Sequence, residues 1–223
     1  KDAAQYPPSI VQAARDDLAA KQVRSRAVPG KLVTEVIPAD FVAPLPFLEQ
    51  TDLGEMFLIF DDAVERVLGN LAYNGPKAYT LTCNGAGACG WVQFTDNAKG
   101  KNLGTYSTVV VRYPEAELIR DFRKGAADHK NSMKAAILLY DNNLEYFIRK
   151  LGKDIVRHPR LKELLAAAYN GGPERAAQAF VKAQKEGRDT QDSWTDGLLR
   201  ETRGFVAKLR QLEEHNVPER YLD

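Results

Sequence analysis

Gly85-Ala86-Gly87-Ala88-Cys89-Gly90 fits the spacing G-x-G-x-x-G, in which glycines let backbone amides close on a pyrophosphate at a helix N-terminus. It follows an expected strand, and Arg112 and Glu115 stand at a second one farther on. The crossover helix would have to come from residues 91–102, which carry Gly100 and the polar run Asp96-Asn97-Ala98-Lys99 with little apolar stripe. A doubly wound sheet also needs further βα units, and the residues after Pro114 offer only helices. Nucleotide binding at Gly85 to Gly90 is therefore the minor reading. His129, His158 and His215 are isolated and share no ligand-like spacing, so no metal is expected. Glu49 ends the apolar run Pro44-Leu45-Pro46-Phe47-Leu48, where by itself it reads as a helix-terminal or solvated carboxylate; only a carboxyl buried among apolar groups keeps its proton near neutral pH and can act as a general acid.

The elements that must position these groups are mostly helices. From Asp2 to Pro29 the chain is polar and broken by Pro7, Pro8 and Pro29, with one amphipathic helix expected over Ser9 to Arg24; residues 1–30 read as an arm laid over the main domain, 31–223. Met56, Phe60, Ala63, Val64, Val67, Leu68 and Leu71 share one helical face, which predicts a helix from Leu53 to Leu71. Tyr79 to Cys83 and Tyr106 to Tyr113, rich in Thr, Val and Tyr, read as short strands. Helices are expected over Glu115 to Ala127, Ser132 to Leu151, Arg160 to Tyr169, Pro173 to Lys185 and Asp196 to Glu214. The fold class is α+β, predominantly α-helical, with a small β patch.

Lys and Arg number 31 against 30 Asp and Glu, so the basic excess of a nucleic-acid binder is missing and no nucleic-acid partner is expected. No apolar run, Met56 to Phe60 included, is long enough to cross a bilayer. A removed leader or an artificial start is expected, because the chain begins with Lys1.

Gly87-Ala88-Cys89-Gly90-Trp91-Val92-Gln93 resembles the Gly-Ala-x-Gly-Leu-(Met/Trp)-Gln signature of lytic transglycosylases with the soluble-lysozyme-like fold. Ala167-Ala168-Tyr169-Asn170-Gly171-Gly172-Pro173 resembles that family's Ala-Ala-Tyr-Asn-Ala-Gly-Pro, and Glu201-Thr202-Arg203-Gly204-Phe205-Val206 its Glu-Thr-Arg-x-Tyr-Val. Each has a plain structural reading: small residues for close helix packing, a helix stop and restart, a surface ion pair. Their order favours the family. Members place the catalytic Glu, normally followed by Ser, shortly before the first motif, and here that spacing falls on Gly75. The better match lies upstream, where Pro44-Leu45-Pro46-Phe47-Leu48-Glu49-Gln50 resembles the Leu-Pro-Phe-(Ile/Val)-Glu-Ser of membrane-bound members, which makes the helix at 53–71 an insertion. Glu65 and Glu55 are the alternatives to Glu49. Gln50 stands where relatives have Ser, and Phe205 where they have Tyr.

The resemblance implies a lysozyme-like domain that cleaves the β-1,4 bond between N-acetylmuramic acid and N-acetylglucosamine in peptidoglycan, leaving 1,6-anhydro ends and using no cofactor. It implies that Glu49 is the acid, that Gln93, Tyr169 and Asn170 line the groove, and that Glu201 raises the acid by like charge. Trp91 offers either a flat face to a sugar or a core side chain. A lysozyme-like hydrolase and a noncatalytic peptidoglycan-binding module are the alternatives. The implied location is the periplasm or cell envelope, the implied state a monomer. In that oxidising compartment Cys83 and Cys89, which are the only cysteines and flank a glycine-rich loop, are expected to pair.

Overall fold

The computed structural model describes residues 5–97 and 103–217. The ends of the expected N-terminal arm and main domain, and residues 98–102 of the expected crossover segment 91–102, lie outside the described residues. The chain starts with α1 (Tyr6–Ala20), whose first turn takes Pro7 and Pro8 at positions that need no amide bond. Two single-turn helices, α2 (Val33–Val36) and α3 (Ala39–Val42), lead into α4 (Leu45–Gln50), where Leu45, Pro46, Phe47 and Leu48 are buried. Then come α5 (Leu53–Leu58) and α6 (Phe60–Asn74). After a stretch of turns the chain continues through α7 (Thr105–Arg112), α8 (Phe122–Ala127), α9 (His129–Leu151), α10 (Leu161–Gly171), α11 (Pro173–Lys185) and α12 (Arg200–Glu214). No helix among the described residues is long and apolar enough to cross a membrane.

The axis of this arrangement is α9, in which every residue from Ser132 to Asp141 is buried. A helix covered all round is a core helix, and α1, α2, α3, α7, α8, α10 and α11 all pack on it. The Asp128 carboxylate accepts from the Asn131 amide at 2.7 Å and starts it, and Gly152, with φ at +93°, ends it. The expected arm contributes Val11, Ala14 and Leu18 to the same hydrophobic cluster as the body of the chain.

The expected β patch is not formed. Among the described residues there are only isolated bridges, Arg24 with Leu32, Cys83 with Cys89 and Cys89 with Phe94. Tyr106 to Tyr113, expected as a strand, is mostly α7. The Asp96 carboxylate accepts from the Ser107 amide at 2.8 Å and its hydroxyl at 2.7 Å, satisfying a first-turn donor from outside the helix, while Tyr106 and Val109, one turn apart, are buried together. Tertiary capping and burial thus override the β propensity of the Val run. Tyr79 to Cys83 is a series of turns, with Tyr79 at φ +57°.

Two expected helices are broken within their bounds, and Asp196 to Glu214 is α12 only from Arg200, after a 3-10 turn at Asp192–Gly197. The segment Leu53 to Leu71 leaves helical geometry at Ile59 (φ −141°, ψ +51°), and Asp61 and Asp62 place negative charge at the new N-terminus. The break lets α5 pack on α12 while α6 packs on α4. Across Glu115 to Ala127 only α8 and a 3-10 turn at Pro114–Ala116 are helical. There the backbone bonds to side chains instead: the Ile119 amide donates to Asn131 Oδ1 at 2.9 Å, and the Ile119 carbonyl accepts from the Tyr106 hydroxyl at 2.6 Å.

One buried carboxylate ties the N-terminal region to the axis. Asp141 accepts from Ser25 Oγ at 2.5 Å, the Arg26 amide at 2.6 Å and the Tyr113 hydroxyl at 2.9 Å. Asp141→Ala leaves these donors unpaired in the core and is expected to lower stability by about 3 kcal/mol, or about 9 °C in Tm for a chain of this size. A thermal melt by circular dichroism checks it; an unchanged Tm contradicts the clasp.

Candidate active site

Glu49 sits in the last turn of α4, a helix of six residues. Helices this short do not hold themselves, and the last carbonyls of α4 have no intrahelical donors. Side chains supply them. Thr51 Oγ1 donates to the Phe47 carbonyl at 2.7 Å, Arg66 to the Gln50 carbonyl at 2.9 Å, and the Lys208 ammonium to the Leu48 carbonyl and, at 2.7 Å, to the Thr51 carbonyl. Gln50 carries the link further, its amide donating to the carbonyls of Trp91 at 2.9 Å and Gly90 at 3.3 Å. The residue standing in place of the family's Ser thus fastens the Glu49 helix to the Gly87 to Phe94 turn.

That turn is held independently. Cys83 and Cys89 are joined by a disulfide. Inside the loop Asn84 Oδ1 accepts from the amides of Ala86 at 2.9 Å and Ala88 at 3.0 Å. Cys89 and Phe94 exchange amide-to-carbonyl bonds at 2.8 and 2.9 Å. Gly90, with φ at +79°, lies so close to α8 that an added β-carbon would stand 2.1 Å from the Ala126 carbonyl oxygen. Gly85 to Gly90 therefore leads into a closed turn and not into a helix N-terminus, which removes the geometry that phosphate binding requires.

Glu49, Asn84, Gln93, Asn170 and Glu201 line both lobes of one groove. The larger lobe, about 630 Å³, is completed by residues that include Leu48, Leu53, Phe205 and Lys208; the smaller, about 180 Å³, by residues that include Phe94, Thr105, Leu139 and Tyr169. Gln93 holds a left-handed backbone, φ +46°, and its amide donates to the Gly90 carbonyl at 2.7 Å. Tyr169 donates its hydroxyl to the Val92 carbonyl at 2.7 Å, so its ring borders the groove while its oxygen braces the turn. The Asn170 amide has no partner among the described residues, which leaves both its donor and acceptor ends for a ligand. Gly171 permits the approach of α10 to α12, since a β-carbon there would meet Thr202 Oγ1 at 2.5 Å.

Trp91 is not in the groove. It is wholly buried, stacked on the His129 ring at 4.5 Å between centroids, and its indole N–H donates to Ser132 Oγ at 2.8 Å. It has no face to offer a sugar. Glu55 and Glu65 do not line the groove either. Glu55 caps α5 through the Asp52 amide at 2.9 Å and pairs with Arg66 at 2.8 Å, and Glu65 is exposed.

Glu49 is half-buried where it opens on the groove, and desolvation by the residues packed round it pushes its carboxyl up to about 8; the Lys208 charge acts against this and the Glu201 charge adds to it. Like charge from Glu201 thus contributes, but desolvation dominates. The Tyr140 hydroxyl, buried and without a partner among the described residues, is close enough to be raised by the Glu49 charge. Tyr140, Asn84 and Lys208 were not marked by any sequence motif. Among the described residues no cluster of His, Cys, Asp and Glu could hold a metal ion. No protein-family model, curated protein or solved structure matches the chain.

A folded-state pKa above the unfolded one destabilises an acid at pH values where the unfolded chain ionises and the folded chain does not. Glu49→Gln should therefore leave Tm unchanged near pH 4 and raise it increasingly between pH 5 and 8; a pH-independent Tm difference contradicts the burial of the acid. Replacing both Cys83 and Cys89 by Ser should lower stability by about 2 kcal/mol, the loop entropy of so short a bridge, as read by denaturant unfolding. Thiol titration of the unreduced, denatured wild type should find no free thiol.

Proposed function

We propose that the chain is a peptidoglycan lytic transglycosylase on a lysozyme-like domain, with Glu49 as its single acid and base. The observation that carries this reading is a carboxyl raised toward neutrality at the junction of two groove lobes, with the three motif segments on the walls around it. Cleavage of a glycosidic bond requires a proton on the leaving oxygen. Glu49 retains its proton at neutral pH and delivers it to the oxygen leaving with N-acetylglucosamine. The N-acetyl group of the N-acetylmuramic acid ring stabilises the positive centre, so a second carboxylate is not needed. The Glu49 carboxylate then takes the proton of that sugar's C6 hydroxyl, which closes the 1,6-anhydro ring without water. Asn170, unpartnered among the described residues, would hydrogen-bond an N-acetyl group, with Gln93 and Asn84 beside it offering the ends their own loop leaves free, and Phe205 and Leu53 line the larger lobe. Such an enzyme works in the periplasm or cell envelope, as a monomer on glycan strands.

The test is a mass spectrum of muropeptides released from purified sacculi. Anhydro ends support the transglycosylase, reducing ends a lysozyme-like hydrolase, and binding without release a noncatalytic module. Glu49→Gln keeps the size of the side chain but has no proton to donate, so it should fold, bind sacculi and lose at least about 10²- to 10⁴-fold in rate. Glu55→Gln and Glu65→Gln should retain cleavage. Wild-type cleavage by Glu49→Gln would reject Glu49 as the acid.

A further inference from the structure

Lys208 is 8% exposed, and no carboxylate lies within ion-pair distance of it among the described residues. Lysines are seldom buried unless paired. Its ammonium, 5.6 Å from the centre of the Phe205 ring, spends two of its three N–H donors on the carbonyls of Leu48 and Thr51. The third is not taken by the protein, and the side chain lines the larger lobe of the groove beside Glu49. Neutral carbonyls hold an ammonium in place but do not neutralise it. A buried charge, tethered on both sides of the half-buried Glu49 and left without a close counter-ion, calls for a part-time partner.

We propose that Lys208 is a positioning residue for Glu49: by bonding the carbonyls of Leu48 and Thr51 it holds the end of α4 against α12, and it is the counter-charge for the carboxylate that Glu49 becomes when it gives up its proton. The proposal rests on the reading of Glu49 as a proton donor and adds what makes that donation reversible. With the proton on Glu49 the site carries one buried positive charge; with the proton on the leaving group it carries an opposed pair, which attracts more strongly here than in water. The other groups acting on the two are Glu201 on α12, Tyr140 on α9, Tyr169 on α10, and Asp52 and Glu55 at the start of α5. Glu201 disfavours the Glu49 carboxylate, so Lys208 is the cation that offsets both burial and like charge.

The test reads the acid directly, in the free protein labelled with carbon-13 and nitrogen-15. The Glu49 carboxyl resonance is assigned by its loss in Glu49→Gln and followed against pH. Lys208→Met should move its midpoint up by about one unit or more, and Lys208→Arg should hold it near the wild-type value. In the wild type the Lys208 side-chain nitrogen should show a step at the Glu49 midpoint, and Glu49→Gln should abolish that step; this arm stands even if Lys208→Met does not fold. An unmoved midpoint in folded Lys208→Met, or no step at the Lys208 nitrogen, overturns the proposal. Where sacculi are cleaved, Lys208→Met should move the basic limb of the kcat/KM profile upward and lower kcat, whereas a purely structural lysine would lower activity without moving the limb. The titrations need no substrate, so failure to cleave glycan would reject the transglycosylase reading and leave the pairing tested by itself.

Discussion

A carboxyl that must keep its proton at neutral pH has to be withdrawn from water, and withdrawal is destabilising at every pH where the unfolded chain would ionise. Glu49 is half-buried at the groove, at the end of a helix too short to persist alone. The surrounding structure supplies what α4 lacks. Its apolar residues Leu45, Phe47 and Leu48 are buried, and its last carbonyls are closed by Thr51, Arg66 and Lys208 from three different places in the chain. Each bond removes an unsatisfied acceptor, and together they determine where the carboxyl sits.

The opposite wall has a different design. The Gly87 to Phe94 turn has no regular element to carry it, so it is closed by the disulfide, by Asn84 folded onto its own loop, and by the near-contact of Gly90 with Ala126. Beneath it the Trp91 and His129 rings stack, and His129 bonds both Tyr6 Oη at 3.0 Å and the Ala78 carbonyl at 2.7 Å. The turn is thereby seated on the N-terminus of α9 and touched by the first turn of α1. Gln50 and Tyr169 then bond its carbonyls from α4 and α10, so the groove walls are fixed relative to one another and not only to the core.

What was legible in the sequence follows from how local each determinant is. The helix from Pro173 to Lys185 has its start at Pro173 and its apolar face within its own residues, and the structure keeps those bounds. Residues 106–113 have β-branched propensity within the segment, but their helix is decided by Asp96 and by burial against α9, both outside it. Trp91 was ambiguous because an aromatic in a glycine-rich turn serves equally as a platform or as an anchor; only the approach of Ser132 and His129 settles it as an anchor. Glu49 could be singled out only through the motif resemblance around it, since a carboxylate ending an apolar run is more often a helix terminus. Lys208 could not, because its spacing from Glu201 and Phe205 looks like any lysine on an amphipathic helix, and its partners are carbonyls far back in the chain.

The pair at the centre of the groove is unfavourable by construction. Burial raises Glu49 and lowers Lys208, so each is pushed toward its neutral form while attracting the other toward the charged one. Apolar residues of equal size would pack there at less cost. A general acid is most effective when its pKa is close to the working pH, because it must both hold and release a proton. For the acid proposed above, burial without a cation would hold the proton too tightly, and a close ion pair would release it before substrate arrived. Tethering Lys208 to backbone carbonyls, instead of to the carboxylate, is the arrangement the proposal places between these limits. The same reasoning explains why the tether reaches α12, whose first turn also carries Glu201: one helix brings to the acid a cation that lowers its pKa and an anion that raises it, so a shift of α12 relative to α4 changes both contributions together.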